Sequence, residues 1–276
     1  MFTLCIKLIQ VIALLILISG CAPSSTLTSE NVEQAAGSEA STLYVERHRN
    51  GLPVPTLLAT RGELMAEDDC SVDRRRGLGF WSLSPNEPNV CRVTHDVERK
   101  PHHIPIASYP LPDHENLIVE VTFRWGEPMG GKYNDQLLGI LSDLRPNTIK
   151  GHKLESWISG SGRFTKAGLA FTSSIAPSAL MDEQPFDTFK ANTWYTAVLE
   201  LVGNEAIMRF QDRVVYADLP RIAGPKNKIT LVFGTTWHEI KSVRIWHATK
   251  NPQWEGMKDK VLASRKAFTQ GSFSYN

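Results

Sequence analysis

The chain has 276 residues, with 30 Lys and Arg against 29 Asp and Glu, and it is 42% hydrophobic and 9% aromatic. That composition is globular, neither disordered nor collagenous, and its length allows one large all-β or α/β domain or two small ones. A formal charge of +1 argues against nucleic-acid binding, which normally requires a basic face.

Residues 1–20 read as a secretory signal. Lys7 precedes a run from Leu8 to Ser19 broken only by Gln10, too short to span a bilayer, which needs about 20 apolar residues. The run ends in Ile18-Ser19-Gly20-Cys21, which resembles a bacterial lipobox: an apolar residue and two small ones before the Cys whose thiol is acylated. Cleavage before Cys21 would leave a diacylated anchor, and more than one acyl chain holds a membrane stably where a single chain binds marginally. The expected location is the bacterial cell envelope. Ala22, a non-Asp residue after the Cys, fits outer-membrane sorting in a Gram-negative cell.

The cut leaves 29 basic and 29 acidic side chains. It also leaves Cys70 and Cys91, which in an oxidising compartment read as one disulfide. Closing a loop of roughly 20 residues contributes about 3 kcal/mol in the chain-entropy picture. Residues 21–42 are the lipidated Cys and a small, polar tether. The folded domain is expected over 43–276, with no internal repeat.

Most of that domain has a period of two. Leu117–Trp125 (LIVEVTFRW) places 117, 119, 121, 123 and 125 on one apolar face, a half-buried strand with one wet face. Thr193–Val202 sets Tyr195, Ala197, Leu199 and Leu201 on one face, and Gly203-Asn204 turns it into Glu205–Phe210. Gln211-Asp212 turns again into Arg213–Ala217. Lys228–Phe233 and Ile240–Trp246 follow. Leu137–Leu141, Lys153–Ile158 and Gly168–Thr172 are further strands. Residues 44–112 fit strands with long loops, and Trp254–Ala267 reads as a short C-terminal helix. Many short strands without helical alternation predict an all-β antiparallel sandwich.

From about Glu115 to Ala248 the order of elements resembles the concanavalin A-like lectin/glucanase sandwiches. More narrowly, it is similar to the 3-keto-disaccharide hydrolase-like domains of secreted bacterial proteins. The resemblance is carried by NLIVEVTFRW, by the Trp-led ANTWYTAVLELVGNEAIMRFQDRVVY and by IKSVRIWHA. It implies a jelly-roll sandwich that binds or processes saccharides. It speaks to fold more than to chemistry, because the matching residues are strand-defining. Gln211-Asp212 departs from the Asn-Gly or Asp-Gly of that hairpin. The Glu-Xaa-Asp-Xaa-Xaa-Glu run of laminarinase-type glucanases is absent, which argues against that activity.

Lys153, Glu155 and Trp157 share one strand face, opposite Leu154, Ser156 and Ile158, and offer an ammonium, a carboxylate and an indole to a sugar. Thr236-Trp237-His238-Glu239 falls between two strands, where a loop would gather an aromatic ring and a potential acid–base pair, His238 and Glu239. Arg124 and Glu120 share the expected wet face of 117–125. They lie about 13 Å apart along the strand, too far to pair directly. Carbohydrate-binding candidates are therefore Arg124, Lys153, Trp157 and Trp237, and catalytic candidates are Glu155, His238 and Glu239. The pairs His95-Asp96 and His102-His103, with Asp113-His114-Glu115, could serve a divalent metal but lack tight ligand spacing, so the expectation is no cofactor, with a divalent metal as the minor alternative. A nucleophile elbow, a phosphate-binding glycine loop and a dinucleotide fingerprint are all missing.

Three functions stay open at this point: an envelope lipoprotein that binds carbohydrate, a glycoside-processing enzyme, and a structural lipoprotein without a ligand.

Overall fold

Alternating apolar residues commit a strand to a sheet with one face inward, and this chain has enough such strands to close two sheets on each other. The computed structural model describes residues 54–72, 76–95, 105–128, 136–144, 153–160, 166–172, 179–186, 190–268 and 271–272. Cys21, Asp96, His102 and His103 lie outside them. The described residues all fall within one unit, Ala40–Asn276.

The strands in chain order are β1 (Ala59–Asp68), β2 (Phe80–Leu83), β3 (Cys91–Thr94), β4 (Ile106–His114), β5 (Leu117–Trp125), β6 (Leu137–Leu144), β7 (Lys153–Ser159) and β8 (Lys166–Thr172). They continue as β9 (Ala179–Pro185), β10 (Tyr195–Val202), β11 (Glu205–Phe210), β12 (Arg213–Asp218), β13 (Lys226–Phe233), β14 (His238–Lys250) and β15 (Gly271–Ser272). The eight-stranded sheet runs β12-β11-β10-β5-β14-β3-β2, with β1 on the same edge of β14 as β3. The seven-stranded sheet runs β15-β9-β8-β7-β6-β13-β4. All pairings are antiparallel, as the sequence predicts for a sandwich.

The core lies between the sheets. Val119, Val121, Phe123, Leu199 and Ile245 of the larger sheet meet Leu138, Ile140, Leu154, Ile158 and Leu231 of the smaller one. Each such side chain contributes about 1.5–3 kcal/mol when removed from water. The three weaker strand candidates, 137–141, 153–158 and 168–172, all form strands of this smaller sheet. The two hairpin turns are also as read, with Gly203 and Gln211 both at positive φ.

The expected wet face of β5 is not wet. Every residue of β5 except Arg124 is buried. A second, smaller apolar cluster covers the outer side of the larger sheet, where Val54, Leu58 and the helix α1 (Trp254–Ala263) pack on Ile118, Val198, Ile207 and Trp246. Two buried carboxylates fasten the segment before β1. The Val54 N–H donates to Glu120 at 2.9 Å, and the Leu57 and Ala59 N–H groups donate to Glu200 at 2.9–3.0 Å. Burial pushes both carboxyls above the usual carboxylate range. Glu205 fastens α1, accepting from Trp254 and Tyr216 and pairing with Lys250 and Lys258, and these partners outweigh its burial to hold its pKa at about 2.

Cys70 and Cys91 form the expected disulfide, with Cα atoms 5.3 Å apart. It staples the end of β1 to β3, the two strands that share one edge of β14. Beside it, Asp68 takes a forked pair of hydrogen bonds from Arg76 at 2.5 and 2.9 Å.

Candidate functional site

The side-chain period of two decides where each candidate points. On β7, Leu154 and Ile158 enter the core and Ser156 donates to the Ile140 carbonyl, so Glu155 and Trp157 share the outer face of the smaller sheet. Lys153 is on the same parity, and its side chain lies outside the described residues. Trp157 is partly exposed, whereas Glu155 is buried at 6% relative exposure, against the expectation that all three would be solvated.

The surroundings of Trp157 are unusual for a sheet. Its direct cross-strand neighbours are Gly139 on β6 and Gly168 on β8. A Cβ on Gly168 would meet the indole at 2.1 Å from Cζ2 and at 2.5 and 2.6 Å from the two ring atoms bonded to it. Distances so nearly equal place that point above the ring face rather than beyond its edge. The indole therefore lies flat across the bare backbone of β8. Outward from it the row continues to Glu183 on β9 and to Val232 on β13, and Glu183 pairs with Lys166 at 3.0 Å. A flat indole on a glycine floor, with a buried carboxylate two residues along and an ion pair at its side, is an amphipathic shelf. The ring offers a surface for C–H groups, and the charged groups offer hydrogen bonds.

The second group of candidates divides. Thr236 and Trp237 lie in a turn, but His238 and Glu239 already belong to β14, so the segment is only half a loop. Their side chains consequently face opposite ways. His238 enters the core between Trp125 and Phe233, with ring centroids 5.8 and 5.4 Å away. Its Nδ1 lies 2.8 Å from the Thr236 carbonyl, which can only accept, so Nδ1 carries the proton. Burial lowers its pKa to about 4. Glu239 stands on the outer face of the larger sheet, fully buried beneath Arg92 and Arg124. Burial alone would raise its carboxyl. The Ser84 hydroxyl at 2.6 Å and the two guanidiniums outweigh that and hold it below the usual range. The structure thus does not bring His238 and Glu239 together as an acid–base pair.

Arg124, more than 110 residues before Trp237 and Glu239, does come together with them. The Trp237 indole lies against Gly126, where a Cβ would come within 2.4 Å of its Nε1, and the Arg92 guanidinium sits 4.6 Å from its ring centroid. Arg124 lies 4.4 Å from the ring of Trp194. Arg92 and Trp194 were not singled out from sequence. Trp194 was nevertheless legible, since it has the opposite parity from the core residues Ala197, Leu199 and Leu201 of β10.

Glu120 and Arg124 each bond to other strands, Glu120 to Arg61 on β1, one strand beyond β14, at 3.0 Å and Arg124 to Glu239 on the adjacent β14. The candidate carboxylates Glu155 and Glu239 stand on the outer faces of different sheets. Stacked sheets are about 10 Å apart, so the whole core separates these two, beyond the 5–9.5 Å of a glycosidase carboxylate pair. Among the described residues the close group of potential metal donors is Asp68, Cys70 and Cys91, and both sulfurs are spent in the disulfide. His114 packs on His247 instead, with ring centroids 5.5 Å apart.

No family model and no curated protein matches the chain by sequence. Among solved structures it is similar to a Bacillus subtilis protein with a galectin-like fold, at 9% identity and TM-score 0.49, over 70% of this chain and 100% of that one. It is also similar to the CBM2 module of the evolved Dit of Lactobacillus casei BL23 phage J-1, at 9% identity and TM-score 0.48, over 70% and 98%. The carbohydrate-binding module CBM66 from Bacillus subtilis is a further neighbour, at 9% identity and TM-score 0.44, over 61% and 92%. Lectins and a glucanase occur among the same sandwiches.

Proposed function

We propose that the chain is an envelope lipoprotein, anchored through Cys21, whose sandwich binds a neutral saccharide on the outer face of the smaller sheet. The observation that carries this reading is the Trp157 indole lying flat on Gly168. Its π-face would stack on the C–H face of a pyranose, while Glu155 and the Lys166–Glu183 pair accept and donate hydrogen bonds to ring hydroxyls. Binding rather than hydrolysis fits the separation of the candidate carboxylates and the burial of His238. This reading needs no cofactor.

A glycan array probed with the mature chain, beginning at residue 21 with Cys21→Ser in place of the lipid, tests the binding. Retention of at least one neutral glycan by the native sequence, lost in Trp157→Ala, is the expected result. An array on which nothing binds with or without divalent metal contradicts it. For the anchor, Cys21→Ser in the full-length precursor should abolish acylation and move the protein out of the membrane fraction. A variant that still incorporates labelled fatty acid defeats the lipobox.

A further inference from the structure

On the outer face of the larger sheet, where β14 begins, two guanidiniums share one carboxylate. Arg92 on β3 and Arg124 on β5 are the direct cross-strand neighbours of Glu239. Each takes one of its oxygens: Arg92 binds Oε1 at 2.9 Å, and Arg124 binds Oε2 at 2.5–2.6 Å. Glu239 is 0% exposed, while the arginine side chains keep 25% and 17%. Nε and Nη2 of each arginine bind Glu239, and Nη2 of Arg124 also reaches Glu87. A guanidinium has five N–H groups in a fixed fork, so each also carries an Nη1 edge that these bonds do not use.

Those edges are held in place. Arg92 is stacked on Trp237 and Arg124 on Trp194. A guanidinium fixed at one edge by a buried carboxylate and across its plane by an indole loses little freedom when it meets another oxyanion. The chain supplies its own example. Glu87, between β2 and β3, reaches Arg124 at 3.2 Å and Lys241 at 3.7 Å, as an incoming carboxylate would. Among the described residues the ion pairs of Arg92, Arg124 and Lys241 are with Glu239 and Glu87, three cations to two acids. The backbones of the two arginines lie two strand spacings apart, about 10 Å, and their guanidiniums converge on Glu239. Partly exposed Trp194 and Trp237 border the pair with apolar surface.

We propose that this patch is a second binding surface, for a saccharide chain that carries carboxylates, with Arg92 and Arg124 each taking one acid group and Trp194 and Trp237 flanking the sugar rings. It uses none of the residues around Trp157, so it stands or falls separately from the neutral-saccharide reading.

Calorimetric titration of the mature chain with oligogalacturonate, and with the same oligomer methyl-esterified, tests it. The acid form should bind and weaken as salt is raised, and the ester should bind roughly tenfold more weakly or not at all. Arg92→Gln should lose roughly tenfold in affinity. Trp194→Ala, which leaves every partner of Glu239 in place, should also weaken binding, and Glu87→Gln should strengthen it by removing the internal competitor. Trp157→Ala should bind the acid oligomer as the native chain does. Equal binding of acid and ester overturns the proposal. So does no binding of the acid form, equal binding of a single-stranded DNA oligomer, or native affinity in a folded Arg92→Gln and a folded Trp194→Ala.

Discussion

His238 and Glu239 are consecutive in β14, yet one lies in the aromatic core between the sheets and the other on the outer face of the larger sheet under two guanidiniums. The period of two forces this division, because whatever places Glu239 beside Arg92 and Arg124 also drives His238 against Trp125. The pair therefore serves the fold in two different ways, and neither residue is placed to move protons for the other.

For His238 the consequence is a pH dependence with a definite sign. Burial lowers its pKa from 6.5 to about 4, so the unfolded chain takes up a proton that the folded chain refuses. Stability should fall as pH drops from 6.5 towards 4, by about 3 kcal/mol from this ring. Urea melts across that range check it, and His238→Leu should flatten this part of the profile.

Glu239 should behave as the keystone of its network. Replacing it with Gln leaves two partly buried guanidiniums facing each other across a neutral group. We expect a loss of about 2–3 kcal/mol, below the range for fully buried pairs because both arginines keep some water. The urea midpoint of Glu239→Gln measures it.

At Gly168 the expected effect is on binding rather than on folding. The three nearest atoms to a Cβ there all belong to the six-membered ring of Trp157, so Gly168→Ala should tilt the indole off the sheet. Saccharide affinity should fall roughly tenfold, with the melting temperature little changed. Gly139→Ala, whose new carbon would stand 3.3 Å from Val232 Cβ, should be milder. The two variants titrated side by side separate a shaped platform from a general loss of sheet packing.

The disulfide should be structural. Cys70 and Cys91 are 21 residues apart and buried, so opening the bond is expected to cost about 3 kcal/mol. A Cys70→Ser/Cys91→Ser double variant should melt lower, by an amount that reductant does not increase.

Much of this fold is written locally. Alternation in 117–125, 193–202 and 228–233 marks strands and their inward faces, and Gly203-Asn204 marks its hairpin. Cys70 and Cys91 are the pair that remains when Cys5 and Cys21 are assigned to an expected leader and lipobox. What local pattern cannot show is what covers the other face. Glu120 reads as a solvent-facing acid in β5, yet it is buried by a hydrogen bond from Val54, 66 residues away. Likewise, Glu239 finds Arg92 across 147 residues of chain, through the β3–β14 register that no short window contains. Trp157 is legible from its strand, but the reason it lies flat comes from a glycine on the neighbouring strand, Gly168, where a side chain would stand in the place of the ring.

Saccharide recognition at the smaller sheet is tested most directly by calorimetric titration of the native mature chain and of Trp157→Ala with the neutral glycan retained best on an array. Stacking on the indole predicts measurable binding by the native chain and a loss of roughly tenfold or more in the variant, at unchanged melting temperature. Native affinity in a folded Trp157→Ala would contradict it.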